Sequence, residues 1–246
     1  MENESQFKNQ ENAVIKIWDK RYSETETYRK QKVKDGSVFD FFEKYNDEVK
    51  AGPSLDLGCG NGRHLRHMAR MGLDTYGIDI SSESLKQLKE DFKEEDLMAN
   101  IQQSSFYNLP YKDEKFNSIV SHNSLQHNDW DGAKKSFAEV GRVLKDSGLF
   151  SLTVISTNCD RPQQVNDISS KEEGTTFIPY EGRKAGIKVH HYSEEELEEL
   201  AQENGLKIIE KREYVREVTD PYDNKKVQKG HWIVVFRKNK DNQHSA

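Results

Sequence analysis

A glycine-rich turn flanked by two acidic residues is the part of this sequence whose residue types could do chemistry. Residues 54–63 read SLDLGCGNGR, in which three glycines alternate directly after a short apolar segment. Glycine is needed where the backbone turns sharply and approaches a ligand with no side chain in the way. A strand, such a turn and a helix start point several backbone N–H groups at one spot. This spacing therefore predicts a ligand site.

The second acidic residue indicates what that ligand contains. Twenty-one residues after Gly58, a second apolar segment over residues 75–79 ends in Asp79. An acid at the end of the second strand of an α/β sheet is well placed to accept hydrogen bonds from both hydroxyl groups of a ribose. The pair of motifs favours a nucleoside-containing ligand over a turn of purely structural use.

Two kinds of nucleoside cofactor compete for this pattern. Dinucleotide sites space their glycines as G-x-G-x-x-G, whereas the third glycine here comes one residue early. Asp56 also precedes the first glycine by two residues, where a carboxylate would repel a pyrophosphate but not the ammonium and sulfonium of S-adenosylmethionine (SAM). The run Asp56–Gly62 resembles motif I of the class I SAM-dependent methyltransferases.

That resemblance implies a set of cofactor-binding residues. Asp56 and the Gly58–Gly62 turn would hold the methionine end of SAM, and Asp79 would hold the ribose. Ser105 stands where the family usually has an acid beside the adenine, and Phe106 would supply the apolar neighbour. The whole expected set comprises Asp56, Gly58, Cys59, Gly60, Gly62, Arg63, Asp79, Ile80, Ser105, Phe106 and His122.

Composition excludes several other classes of protein. The 246 residues include 37 basic and 43 acidic ones, and the net charge of −6 makes nucleic acid an improbable partner. No apolar run is long enough to cross a bilayer, and the polar N-terminus does not resemble a signal peptide. Two cysteines form no disulfide framework, which fits a reducing cytoplasm. The oligomeric state is left open.

The order of apolar patterns predicts one α/β domain. We expect a Rossmann-like three-layer sandwich around a seven-stranded, mostly parallel sheet; the family resemblance adds an antiparallel last strand. The predicted domain covers residues 12–237, between flexible tails at 1–11 and 238–246. Within it, residues 12–50 form an N-terminal helical cap. Residues 158–192 form an insertion that acts as a lid and acceptor pocket, since ligands bind at the carboxyl ends of strands. The alternative for this insertion is a disordered surface loop.

The candidate acceptor-binding residues lie in the cap and the insertion. Trp18 and Tyr22 belong to one apolar stripe, which could line the cofactor cleft or simply pack on the core. Arg183 and Tyr192 lie in the insertion, whose mixed side chains could hold a polar or anionic acceptor. The sequence therefore places acceptor contacts on both sides of the glycine turn.

An acceptor that keeps a proton would need a base, for which His127 and His191 are the candidates. Imidazole titrates near neutrality, although a lone histidine is more often structural, and His127 could instead cap the next helix. The paired His190 and His191 lack a third ligand at helical spacing, so no metal site is expected.

Taken together, the resemblance implies methyl transfer from SAM to a small-molecule acceptor with release of S-adenosylhomocysteine. The similarity is greatest to the branch that includes quinone-biosynthesis and tellurite-resistance methyltransferases. Two alternatives stay open: a methyltransferase acting on RNA or protein, and a SAM-binding protein without transfer activity.

Overall fold

The computed structural model describes residues 2–24, 36–161, 165–168, 176–179, 185–219 and 224–240, with only the backbone described for 2–11 and 165–168. Arg183, the turn at 220–223 and residues 241–246 of the predicted tail lie outside these ranges. No described helix has the length and apolarity that crossing a membrane requires.

The secondary structure alternates between strands and helices through most of the chain. The helices are α1 (Glu2–Glu24), α2 (Gly36–Lys44), α3 (Asn46–Lys50), α4 (Arg63–Arg70), α5 (Ser82–Glu94), α6 (Trp130–Val143) and α7 (Glu194–Glu203). The strands are β1 (Ser54–Leu57), β2 (Thr75–Asp79), β3 (Asn100–Gln103), β4 (Phe116–His122), β5 (Leu144–Ile155), β6 (Val165–Ile168), β7 (Thr176–Pro179), β8 (Val189–His190), β9 (Leu206–Thr219) and β10 (Lys226–Lys238).

Seven strands form the central sheet in the order β3-β2-β1-β4-β5-β10-β9. The pairs from β3 to β5 are parallel, whereas β10 runs antiparallel to both β5 and β9. The predicted fold class is confirmed. Strand order reverses beside β1, so the carboxyl ends of β1 and β4 border the crevice where α/β sheets bind ligands.

Helices cover both faces of this sheet because adjacent strand residues point to opposite sides. On β5, Phe150 packs with α6 and α7, whereas its neighbour Leu149 packs with α2, α3 and α4. On β4, Ile119 and Val120 divide in the same way. Two of these helices begin at residues whose types favour helix N-caps. Ser81 caps α5, and Ser193 with Glu196 forms a capping box at α7.

Several boundaries differ from the sequence prediction. Helix α1 begins at Glu2, so residues 2–11, predicted as a flexible tail, are helical in this structure. The spacing of Val38, Phe42, Tyr45 and Val49 predicts a single helix over residues 37–49, whereas the structure has two helices that meet at Tyr45. The sequence also predicts a turn at residues 145–149. In the structure these residues lie inside β5, whose pairing with β4 is irregular there, and Ser147 has a φ of 61°.

The segment after β5 contains a second sheet that the sequence did not reveal. Strands β6, β7 and β8 pair antiparallel in that order. The three strands have two to four residues each, and short strands carry too little periodicity to be recognised. This small sheet brings residues 176–179 and 185–190 toward the carboxyl end of β4, where the backbone N–H of His190 donates to the carbonyl oxygen of Gln126 at 2.8 Å.

Candidate active site

The glycine turn between β1 and α4 is built from backbone that only glycine adopts easily. Gly58, Gly60 and Gly62 have φ values of 83°, 51° and 78°. A Cβ atom at Gly58 would overlap the hydroxyl group of Ser124, and one at Gly60 would overlap the hydroxyl group of Tyr22. The alternating glycines are therefore required both by conformation and by close approach from neighbouring segments.

Asp79 at the end of β2 is held against this turn. Its two carboxylate oxygens accept hydrogen bonds from the backbone N–H groups of Gly60 and Ser81, both at 2.9 Å. Burial raises the pKa of Asp79 to about 6, although these backbone donors oppose the shift. The carboxylate is thus fixed in orientation beside the cavity, and each oxygen keeps a second lone pair that a ribose hydroxyl could use.

Asp56 lies beneath the turn and is only 1% exposed. Among the described residues, none donates a hydrogen bond to either of its carboxylate oxygens. Burial, and then the negative charge of Asp79, raises the pKa of Asp56 to about 7, although the charge of Arg63 and the nearby backbone N–H of Leu65 oppose the shift. A buried carboxylate without donors is costly, and a nearby cation relieves that cost. The site therefore fits a ligand with a positive group above the turn, as the ammonium of SAM would be.

A cavity of about 890 Å³ opens at the carboxyl ends of β1, β2 and β4. Most of the predicted site residues line it: Trp18, Tyr22, Gly58, Cys59, Gly60, Arg63, Asp79, Ile80, Ser105, Phe106, His122 and His127. Asp56 and Gly62 support the turn from outside the wall. The cavity therefore joins the predicted cofactor residues to two predicted acceptor residues and one candidate base.

Helix α1 forms one wall of this cavity and is held at two places. Asp19 accepts hydrogen bonds from the Ser81 hydroxyl at 2.7 Å and from the backbone N–H of Glu83 at 3.2 Å, which attaches α1 to the start of α5. Arg21 donates to the carbonyl oxygen of Ala185 at 2.7 Å, which attaches α1 to the segment before β8. Val14, Trp18 and Tyr22, three residues of the apolar stripe of α1, line the cavity.

His127 lines the cavity and packs against Trp18 of α1. Its ring meets the Trp18 ring edge-on, with centroids 4.9 Å apart. Nδ1 lies 3.4 Å from the carbonyl oxygen of Lys188, a long contact that favours the tautomer with its proton on Nδ1, because a carbonyl only accepts. Nε2 is then the basic nitrogen. Asp129, and not His127, caps α6 by accepting from the backbone N–H of Gly132.

The structure does not bring His191 or Tyr192 to the cavity wall. Tyr192 is fully buried in the core and its hydroxyl donates to the carbonyl oxygen of Leu125 at 2.9 Å. The His191 ring is 4% exposed and packs against Phe177. Both residues follow β8 and pack into the protein interior, an outcome that depends on tertiary packing and that the sequence pattern did not indicate. Arg183 lies outside the described residues.

His190 likewise has a structural setting. It is fully buried, its Nδ1 is 2.7 Å from the Thr176 hydroxyl, and its Nε2 is 3.2 Å from Glu196. Among the described residues, no group of His, Cys, Asp and Glu side chains has the arrangement of a metal site. The His190–His191 pair thus anchors the second sheet to α7 and to the core.

Sequence reasoning missed several polar residues of the cavity wall, including Tyr107, Gln126, Asn128, Asp129 and Lys188. Gln126, Asn128 and Asp129 lie between β4 and α6, in a polar run that the sequence shows directly after a strand. That position was the available signal, because the carboxyl ends of parallel strands converge at one edge. Lys188 carried no such signal, since only folding brings it to Asp129 in an ion pair.

Comparison with known proteins identifies a methyltransferase domain at residues 55–148. The chain is 29% identical over 174 residues to the uncharacterized protein MJ1252 of Methanocaldococcus jannaschii, covering 66% of this chain and 64% of that one. It is 29% identical over 126 residues to a ubiquinone biosynthesis O-methyltransferase of Pelagibacter ubique, covering 50% and 51% of the two chains. The matched segments thus span less than two thirds of these curated relatives.

Solved structures share the fold. A SAM-dependent methyltransferase from Methanosarcina mazei matches with a TM-score of 0.63 at 23% identity, over 80% of this chain and 97% of that one. At that identity the likeness concerns the arrangement of the elements.

Proposed function

We propose that this chain, a member of the class I SAM-dependent methyltransferases, transfers the methyl group of SAM to a small-molecule acceptor and releases S-adenosylhomocysteine. One observation carries the proposal: a single cavity connects the glycine turn and Asp79 to Trp18 and His127. A donor held at the turn and an acceptor beside His127 would share one enclosed space.

The bound cofactor supplies a methyl group on a sulfonium, which is already a good leaving group. The protein's own residues therefore act mainly by positioning, which can contribute on the order of 7–11 kcal/mol. The backbone of Gly58–Gly62 and the fixed carboxylate of Asp79 orient the methionine and ribose ends. From beneath the turn, the negative charge of Asp56 favours binding of the positively charged donor. This attraction weakens when the sulfonium becomes a neutral thioether. Ser105, Phe106, Ile80 and His122 border the adenine end of the same space.

His127 is the base in this proposal. Donation from Nδ1 to the Lys188 carbonyl fixes the tautomer, and Nε2 takes the proton from the acceptor atom as that atom bonds to the methyl carbon. The electron pair of the broken carbon–sulfur bond goes to sulfur. Substitution of His127 by phenylalanine keeps the ring contact with Trp18 and removes the basic nitrogen.

Three observations support a small acceptor over a macromolecule. Helix α1 and the segment 185–188 both border the cavity, which encloses the space around His127. A net charge of −6 gives no concentrated positive field for nucleic acid. The O-methyltransferase relative is named for ubiquinone biosynthesis, a small-molecule pathway.

The test is to incubate the protein with methyl-labelled SAM and a cell metabolite extract and to identify the labelled product. We expect one small labelled compound, with turnover reduced about 10²–10⁴-fold in His127→Phe while SAM affinity is kept. Calorimetry with SAM, S-adenosylhomocysteine and NAD provides the binding control. NAD binding without SAM binding would refute the cofactor assignment, and label found only in RNA or protein would refute the acceptor class.

A further inference from the structure

Hydrogen bonds to neighbouring segments hold the loop between β4 and α6 in place. Ser124 donates to the carbonyl oxygen of Gly58 at 3.1 Å, and the Leu125 carbonyl accepts from Tyr192. The Gln126 carbonyl accepts from the backbone of His190, and the Asn128 side chain accepts from Tyr107 at 2.7 Å. The loop backbone is thus fixed on both sides of Gln126.

The Gln126 side chain is the exception within this loop. It borders the cavity and is 3% exposed, yet its amide oxygen is buried with no donor among the described residues. A buried amide oxygen left without a partner costs about 1–3 kcal/mol. The described residues supply no partner for this oxygen and Gln126 borders the cavity, so a molecule bound in the cavity is the candidate partner.

We propose that Gln126 determines acceptor specificity, by accepting a hydrogen bond from an O–H or N–H group of the acceptor. The inference rests on the proposed function and deepens it. Gln126 directly precedes the base His127, so the bonded group lies close to the atom that receives the methyl group. Since the amide is uncharged, it recognises a neutral donor group and does not require an ionic acceptor.

The surroundings of this amide specify the rest of the acceptor. Trp18 lies against His127, and Ile187 precedes the lysine whose carbonyl His127 contacts. Two charged residues of the cavity wall, Asp129 and Lys188, are paired with each other. An aromatic–aliphatic wall with a compensated ion pair fits a neutral molecule with an apolar body and a hydroxyl or amine, and disfavours a zwitterionic amino acid.

A pair of isosteric probes tests this assignment without a known acceptor. Phenol and toluene differ by one hydroxyl group, and their dissociation constants can be measured by ligand-observed NMR on protein saturated with S-adenosylhomocysteine. We expect the protein to prefer phenol by about tenfold, the effect of one hydrogen bond to a buried amide. Gln126→Leu should bring the ratio to within about twofold, with toluene affinity unchanged.

The matched control is Gln202→Leu, which makes the same change at an exposed position of α7. It should keep the preference for phenol. A preference that survives in Gln126→Leu, or no preference in the parent protein, overturns the assignment. If S-adenosylhomocysteine does not bind, the proposed function is refuted. The phenol-to-toluene ratios of the parent protein and of Gln126→Leu, measured without S-adenosylhomocysteine, then still test the role of Gln126.

Discussion

The two halves of the cavity are built in different ways. The cofactor half uses the turn after β1 and the end of β2, and its central contact joins Gly60 to Asp79, 19 positions apart. The acceptor half is assembled from α1, the loop after β4 and the residues before β8. Its contacts join Arg21 to Ala185 and His127 to Lys188, which are 164 and 61 positions apart.

Cofactor binding and acceptor binding therefore depend on different features of the chain. The cofactor half depends on backbone conformation that three glycines permit, so changes there should be severe and specific. The acceptor half depends on side chains brought together by packing, so single changes there should be milder and should affect specificity. The following experiments test that contrast.

The largest effect is expected from Gly58→Ala, with Gly72→Ala as its control. Both glycines have left-handed backbone, with φ of 83° and 75°, so each substitution costs about 1–2 kcal/mol. Only at Gly58 does the new methyl group overlap Ser124, whereas nothing lies within 4 Å of a Cβ at Gly72. Overpacking adds about 1–3 kcal/mol at Gly58, so chemical denaturation should show a larger loss of stability for Gly58→Ala than for Gly72→Ala. Calorimetry should show loss of SAM binding for Gly58→Ala and unchanged binding for Gly72→Ala. Equal losses in the two variants would contradict a turn built by close approach.

The pH dependence of the cofactor half should follow Asp56. Its pKa is about 7 in the folded protein against 3.8 as the ordinary value, so the folded state holds this proton more tightly. The stabilising contribution is complete below about pH 4 and is lost as the pH rises through 7. Compared with Asp56→Asn, the unliganded parent should lose about 2–3 kcal/mol of unfolding free energy between pH 5 and pH 8.

SAM should show the opposite trend in the same experiment, because its ammonium favours the ionised carboxylate. The affinity of the parent protein should rise as the pH passes through 7, and that of Asp56→Asn should change less. Parallel curves for the two proteins, in stability and in binding, would show that Asp56 does not titrate in this range.

Asp79→Ala should weaken SAM binding by about 1.5–3 kcal/mol, the range for lost hydrogen bonds to a charged group. The carboxylate is fixed by Gly60 and Ser81, so its loss also removes an anchor of the glycine turn. Calorimetry measures the change, and the phenol-to-toluene ratio serves as the control for the acceptor half. An unchanged dissociation constant for SAM would place the ribose elsewhere.

The smallest effect is expected from Asp19→Ala, which detaches α1 from the start of α5. Loss of such a capping contact costs about 1 kcal/mol, or about a fivefold change in an equilibrium constant. Because α1 borders both halves, the dissociation constants for SAM and for phenol should rise together. Lys16→Ala, on the exposed side of the same helix, is the control. A change in only one constant would assign α1 to a single half.

Much of the cofactor half could be predicted from the sequence because its parts are short and consecutive. The glycine spacing, Asp56 and Asp79 indicated the turn, and the structure places their backbone as that pattern implies. Trp18 was recognised from a helical stripe, although the same stripe would have suited a core helix. His191 was a candidate base only because of its residue type, and in the structure it packs against Phe177 and is not part of the cavity wall.

Local sequence patterns are sufficient to predict the left-handed glycines, the capped helices and the alternating apolar strands. The layered sheet follows from these elements. These follow from steric limits and burial preferences that act over a few residues. Tertiary packing alone places Gln126 on the cavity wall, with an amide oxygen that has no donor among the described residues, and brings the Lys188 carbonyl to His127. Those outcomes depend on how segments 60 or more positions apart pack together, for example His127 against Lys188. Packing depends on the shapes of all the elements at once, which no local pattern records.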